Sequence, residues 1–80
     1  MSNTNNLLTQ AIKETKHLNT NEIFLVLDLF KGYKWNRISR SDRLLLRALF
    51  LNYVHTSGTH LKPIEKTSSG RQKYKVSWNW

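Results

Sequence analysis

Apolar residues near the start of the chain recur at the helical period of about 3.6 residues. They predict an amphipathic helix over about 5–18, built around Leu7, Leu8, Ala11 and Ile12. Residues 1–6 are polar, and we expect them to form a disordered tail in front of one small domain at 7–80.

The next apolar run, residues 23–30, is too short for its periodicity to separate a buried strand from a buried helix. We expect an extended piece at 23–25, followed by a helix through 28–30 that Gly32 ends or kinks. Residues 33–37 would then form an aromatic and basic connector to the next helix.

The longest predicted helix covers 38–54, and its start carries the signals that end-capping requires. Either Ser39 or Ser41 can accept a hydrogen bond from a backbone N–H of the first turn. Asp42 lies in that turn, where the helix dipole stabilises a negative charge.

Three arginines of this helix, Arg40, Arg43 and Arg47, fall within one narrow sector at about 100° per residue. The second half of the helix is apolar on nearly all sides, so it is expected to be buried. Two interpretations fit this pattern: a DNA-recognition helix with an arginine-lined start, or a core helix with a solvated arginine face.

Strict alternation marks the end of the chain as a strand over 72–80, with Tyr74, Val76, Trp78 and Trp80 on one face. Residues 61–66 form a second predicted strand, which Pro63 restricts to a sheet edge. A glycine-containing turn joins the two into a hairpin, and its apolar face is expected to pack on the helices.

Helices followed by one hairpin predict a mostly α fold with a C-terminal β-hairpin, in the α+β class. A helix, a short turn, a second helix and a basic hairpin follow one another in the order of a winged helix-turn-helix protein. In that arrangement one helix enters the major groove, while the hairpin, called the wing, reaches the flanking backbone or minor groove.

The net charge of the chain is +8, which indicates a polyanionic partner. Residues 31–80 supply the excess positive charge, because the first thirty residues contain slightly more acidic than basic side chains. A non-catalytic protein that binds double-stranded DNA, as a repressor or accessory factor of a plasmid, phage or conjugative element, is the first hypothesis. Structured or single-stranded RNA is a weaker alternative.

The predicted DNA-binding residues lie on the arginine helix, on the connector before it and on the hairpin. They are Lys34, Arg37, Ser39, Arg40, Ser41, Arg43, Arg47, Lys66, Ser69, Arg71 and Lys73. Arginine suits this role because its planar guanidinium binds guanine or phosphate through two hydrogen bonds. The opposing interpretation is a solubilising surface whose charged strands protect a sheet edge.

Several classes of function lack support in the sequence. The chain contains no cysteine and only five carboxylates, and the carboxylates form no paired catalytic constellation. His55 and His60 have no nearby acidic or cysteine ligands, so we expect no metal, cofactor, small-molecule substrate or catalysis. No apolar run is long enough to span a membrane and the start lacks a signal-peptide pattern, so a cytoplasmic protein is expected.

A second hypothesis is a protein-interaction module that inhibits or recruits a host nucleic-acid enzyme. It is based on Trp35, Trp78 and Trp80, because aromatic side chains anchor many interfaces. Trp78 and Trp80 fit an interface between two copies of the chain, or the edge of its own core. A homodimer would let so small a protein recognise a two-fold site.

The stretch from Phe24 to Ile38 resembles a family of small, uncharacterised single-domain proteins of Gram-positive bacteria and their plasmids and phages. The resemblance rests on the spacing of its Asp-Leu-Phe, glycine and tryptophan, continues at 43–46 and 66–70 and Tyr74, and covers roughly 22–76. It implies a compact, winged-helix-like unit, often encoded beside mobile-element genes, and no assigned activity. Relatives commonly have glycine at the position of Arg47, so the resemblance gives that arginine no shared role.

Overall fold

Helices and strands alternate in the first half of the molecule, and a hairpin closes the second half. The computed structural model describes residues 4–57 and 60–77. Its elements are α1 (Thr4–Thr15), β1 (Ile23–Phe24), α2 (Gly32–Arg37), α3 (Arg40–Thr56), β2 (Leu61–Lys66) and β3 (Gln72–Val76), with a 3-10 helix at Val26–Leu29. Three α-helices and one antiparallel sheet in the order β1–β3–β2 confirm the predicted α+β class.

Helix α1 begins and ends earlier than its periodicity predicts. It ends at Thr15 because the next N–H groups, up to that of Leu18, donate to carbonyls three residues back, which tightens the chain into a turn. At its start, Thr4 is buried and helical, so the tail predicted for 1–6 overlaps α1 at 4–6. Residues 1–3 lie outside the described part of the chain.

The segment after β1 corrects the prediction made for Gly32. Gly32 is the first residue of α2, and the expected connector at 33–37 is the rest of that helix. The expected helix through residues 28–30 is instead a 3-10 turn that ends at Leu29, followed by Phe30 in an extended conformation. A six-residue helix is too short to show a period, and burial of its Trp35 is what stabilises it.

Helix α3 starts where the capping signal indicates. Ser39 is the N-cap, and its Oγ accepts a hydrogen bond from the backbone N–H of Asp42 at 3.2 Å. Of the two candidate caps, Ser39 is therefore the one used. The helix continues to Thr56, two residues beyond the predicted end.

The hairpin has the predicted strands, and β1 adds a third strand beside it. Strand β2 lies at the sheet edge, as Pro63 indicates, and β3 lies in the centre, where Phe24 of β1 pairs with Tyr74. The register between β2 and β3 shifts between Pro63 and Lys66. Trp78 and Trp80, assigned to the end of β3 and to an interface, lie outside the described residues.

Aromatic side chains join the sheet to α3 in the core. The Tyr74 ring stacks on Phe24, with centroids 5.6 Å apart, and meets Phe50 of α3 edge-on at 5.0 Å. Burial raises the pKa of Tyr74 to about 12. Tyr74 and Val76 are fully buried, which confirms that the alternating face of β3 packs against the helices.

Candidate nucleic-acid interface

Arg43 links α2 to α3. Its Nε and Nη2 donate to the backbone carbonyl of Trp35 at 3.2 and 2.9 Å. Its guanidinium carbon also lies 5.3 Å from the centre of the Trp35 ring, within cation–π range. Since the carbonyl belongs to the last turn of α2, Arg43 of α3 caps the C-terminal end of α2 and holds the two helices together.

The rotation of α3 explains why Arg43 faces inward. Leu46, Phe50 and Val54 are buried, and at about 100° per residue Arg43 lies on the same side as these three. The opposite side is exposed and mixed: it carries Leu44 and Leu45, 57% and 47% exposed, beside the polar Ser41 and Asn52. The side of α3 that points away from the core is therefore not the arginine sector expected from the sequence.

Arg47 and Arg71 meet at a groove between α3 and the hairpin. The groove has a volume of about 310 Å³. It is lined by Leu25, Val26 and Leu27 from the segment after β1, by Arg47, Ala48 and Leu51 from α3, and by Lys66, Ser69, Gly70, Arg71, Gln72 and Tyr74 from the hairpin. Three of these side chains are cationic, and none is a carboxylate. We call this feature the α3–hairpin groove.

The charges in the groove act on one another. Partial burial lowers the pKa of Arg47, and the neighbouring positive charges of Arg71 and then Arg43 lower it further. Arg47 also lies over the Trp35 ring, at 5.5 Å from its centre. Two arginines from distant parts of the chain thus come close together on one side of the molecule.

The turn of the hairpin fixes the position of Arg71. The N–H of Arg71 donates to Thr67 Oγ1 at 3.0 Å, and the N–H of Thr67 donates to the carbonyl of Arg71 at 2.8 Å. Gly70 has φ +86°, a conformation that residues with a side chain rarely adopt. Ser69, whose Oγ lies 3.0 Å from Thr67 Oγ1, lines the groove beside Arg71.

Lys73 lies on the same hairpin but is already paired. Its Nζ is 3.0 Å from Glu65 Oε1 on the adjacent strand. The hydrogen bond and charge of Lys73 lower the pKa of Glu65, so the carboxylate is ionised at neutral pH. Of the predicted hairpin residues, Lys66, Ser69 and Arg71 line the groove, whereas Lys73 does not.

The remaining predicted residues surround the junction of α2 and α3. Arg37 is exposed, and its guanidinium carbon lies 5.2 Å from the centre of the Tyr33 ring. Lys34 and Arg40 are also exposed, and Ser41 Oγ lies 3.4 Å from the Ser39 hydroxyl. None of these five residues lines the α3–hairpin groove.

Sequence reasoning expected Trp35 to pack in the core, but it did not identify the apolar floor of the groove or the contact of Trp35 with two arginines. Leu25 and Leu27 were assigned only to a buried run, although both are half-buried and face the groove. Trp35 is 8% exposed, so it belongs to the core and offers no exposed anchor for a partner. The sequence feature that could have indicated the contact of Trp35 with arginines is the pair Arg43 and Arg47, which follows it in the chain.

Two further observations concern other kinds of site. Residues 4–57 and 60–77 contain no group of three or more potential metal ligands among His, Cys, Asp and Glu. In the same part of the chain, every helix is too short or too polar to cross a lipid bilayer.

The family model for a domain of unknown function, DUF1413, matches residues 9–75, so the chain belongs to this family. The match extends the resemblance seen in the sequence toward the N-terminus. No curated protein matches the chain.

The fold also has a solved counterpart. A structure described as "SCCmec type IV LP1413 - nucleic acids binding protein" superposes with a TM-score of 0.73. The match covers 99% of this chain and 93% of the other, at 17% sequence identity. At this identity the likeness shows a shared fold.

Proposed function

We propose that this protein binds DNA without catalysing a reaction on it, as an accessory factor of a mobile genetic element. The observation that carries the proposal is the convergence of Arg47, Lys66 and Arg71 on one groove that no carboxylate lines. The description of the solved protein of the same fold as an SCCmec nucleic-acid binding protein supports it. The net charge of +8 has the sign that this partner requires.

The order of helices and strands supports assignment to the winged-helix class, with α2 and α3 as the helix-turn-helix and the β2–β3 hairpin as the wing. Duplex DNA is the proposed ligand, because a helix flank and a wing tip that lie side by side can bind its phosphate backbone together, while the neighbouring cations contact further phosphates. Contacts would come from Arg47, Lys66 and Arg71, with Arg40, Arg37 and Lys34 extending the positive surface along the start of α3.

An accessory factor is a better proposal than a sequence-specific repressor. Base edges are read mainly by polar side chains such as Arg, Asn and Gln. Arg43, in the middle of the arginine sector of α3, is bonded to Trp35, and Leu44 and Leu45 occupy part of the exposed surface of the helix beside Ser41 and Asn52. Affinity that comes mainly from phosphate contacts depends little on base sequence.

A competition assay tests the proposal. Duplex DNA, single-stranded DNA and RNA of equal length would compete for a labelled duplex at two salt concentrations, measured by fluorescence anisotropy. We expect duplex to compete best, a weak dependence on sequence and a steep loss of affinity with salt. Equal or better competition by single-stranded DNA would mean that the protein binds unpaired DNA instead. A lack of DNA binding at low salt would show that the proposal is wrong.

A protein-interaction module is the second candidate, and the exposed leucines of α3 favour it. Leu44 and Leu45 are adjacent to the exposed Ala48, which leaves room for a close approach by another helix. The substitutions Leu44→Ser and Leu45→Ser test this surface without touching Arg47. If the surface binds a protein, they abolish capture of a defined partner in nuclease-treated, high-salt buffer and leave DNA affinity unchanged. A concentration-dependent dimer lost in the same variant would identify a second copy of the chain as the occupant.

A further inference from the structure

The pairing of Arg47 with Arg71 points beyond general attraction for DNA. One guanidinium belongs to α3 and the other to the tip of the hairpin, and they share the wall of a single groove. Ion pairs in the described residues join Glu14 to His17 and Glu65 to Lys73, so neither involves Arg47 or Arg71. Two like charges are held close together without a carboxylate of the groove to neutralise them.

Such a pair is unfavourable in the free protein. The charge of Arg71 lowers the pKa of Arg47, which means that each protonated guanidinium raises the free energy of the other. Arg47 is partly buried beside the apolar floor formed by Leu25, Leu27 and Leu51, so its charge is screened less than at an open surface. The hydrogen-bonded Thr67–Arg71 turn nevertheless places the backbone of Arg71 beside the groove that its side chain lines.

We propose that Arg47 and Arg71 together form a binding site for one phosphate group, which bridges α3 and the hairpin tip. A phosphate placed between them converts the repulsion into two charge-assisted contacts, and guanidinium groups match phosphate geometry through paired hydrogen bonds. The Ser69 hydroxyl lines the same groove and can donate a further hydrogen bond. This inference rests on the proposed function, and it names the phosphate contact on which affinity mainly depends.

A shared phosphate predicts that the two arginines are not independent. We would measure binding of a duplex oligonucleotide to the full chain and to Arg47→Gln, Arg71→Gln and the double variant, over a series of salt concentrations. Each single variant should lose roughly tenfold in affinity, and the double variant should lose little more than either one. Two arginines on separate phosphates would instead give multiplied losses, near a hundredfold, and this result would overturn the shared site.

The melting temperature gives a second measurement, which distinguishes the loss of a phosphate contact from a loss of structure. Because Arg71→Gln removes a repulsion, this variant should melt at the same temperature as the wild type or higher while it loses affinity. Arg47→Gln also removes the cation–π contact with Trp35, so only its affinity is compared. A lower melting temperature of Arg71→Gln that accompanies its loss of affinity would overturn the proposal. Lys62→Gln is the matched control, since it removes one exposed charge at the other end of β2.

A competition experiment distinguishes a phosphate of the DNA backbone from a free phosphate or nucleotide as the ligand. Inorganic phosphate and a free deoxynucleoside triphosphate would compete with the duplex, against chloride at equal ionic strength. A site for the DNA backbone predicts weak, millimolar competition by both that disappears in the double variant. Tight binding of the free nucleotide would overturn the assignment to the backbone. Wild-type binding that the double variant retains in full would refute this site and leave the proposed function intact.

Discussion

Two arginines of α3, one helical turn apart, contact the same tryptophan and have different partners. Arg43 donates two hydrogen bonds to the Trp35 carbonyl, whereas Arg47 lies over the Trp35 ring and lines a groove together with Arg71. The first cation is satisfied by the protein itself, and the second is available to a ligand. The comparison teaches that a sector of like residues on a helix need not be one functional surface.

The same division separates other cations of the molecule. Lys73 is paired with Glu65, as Arg43 is with Trp35, while Lys66 and Arg71 line the groove. Substitution of a satisfied cation should therefore reduce stability or remove a local contact. Substitution of a groove cation should reduce binding.

The largest effect is expected from Arg43→Ala. It removes both hydrogen bonds to the Trp35 carbonyl and the contact with the Trp35 ring, so we expect a loss of about 2 kcal/mol in unfolding free energy, measured by urea denaturation. Arg43→Lys keeps the charge and should recover part of the loss. If Arg43→Ala instead unfolds like wild type and binds DNA weakly, Arg43 belongs with Arg47 and the contrast between them fails.

The behaviour of Arg43 shows where sequence reasoning stops. Periodicity places Arg40, Arg43 and Arg47 in one sector, but it does not show which of them meets a partner inside the protein once α2 packs beside it. The carbonyl that Arg43 binds lies eight residues earlier, in a helix that the sequence did not reveal. Six residues beginning with glycine contain less than two helical turns, which leaves no period to read.

Other parts of the fold were predictable because their signals are local. The Ser39 cap depends on a residue three positions away, and strand β2 follows from a short run beside a glycine-containing turn. Arg71 of the hairpin lies beside Arg47 of α3, in the groove that both line. The apolar floor was not predictable, because Leu25 and Leu27 become groove residues only when the hairpin folds over them.

A smaller effect is expected from Gly70→Ala, which alters the backbone that presents Arg71. The φ of +86° at Gly70 disfavours any residue with a Cβ, at a cost of about 1 kcal/mol in unfolding free energy. The space around Gly70 is open, so the cost is conformational and not steric. We expect a slightly lower melting temperature and weaker DNA binding. Gly32→Ala, at a helix start with open space, is the control and should not weaken binding.

Acidification should affect the side of the molecule away from the groove. His60 Nε2 lies 3.2 Å from Thr15 Oγ1, and burial, then the charge of Lys16, lower the His60 pKa below 6.5. Because the folded pKa lies below the unfolded one, the folded state resists protonation, and stability present above pH 6.5 is lost as the pH falls toward the folded value. The melting temperature should fall between pH 7.5 and 5.5.

The matching variants locate that pH effect. His60→Gln should flatten the dependence of melting temperature on pH, whereas His55→Gln, at an exposed position of α3, should leave it unchanged. An equal flattening by His55→Gln would place the titrating group elsewhere.

The smallest effect is expected at the paired lysine of the hairpin, and it has the opposite sign. Glu65→Gln removes the partner that holds Lys73 at 3.0 Å and adds one unit to the positive charge of the wing. DNA affinity should therefore rise about two- to threefold at low salt and return to the wild-type value as salt screens the added charge. Lys73→Gln should weaken binding less than Arg71→Gln does, because Lys73 must first leave Glu65. If the two substitutions reduce DNA affinity equally, the ion pair with Glu65 does not keep Lys73 from binding DNA. The distinction between cations paired within the protein and cations that line the groove would then not apply to the hairpin.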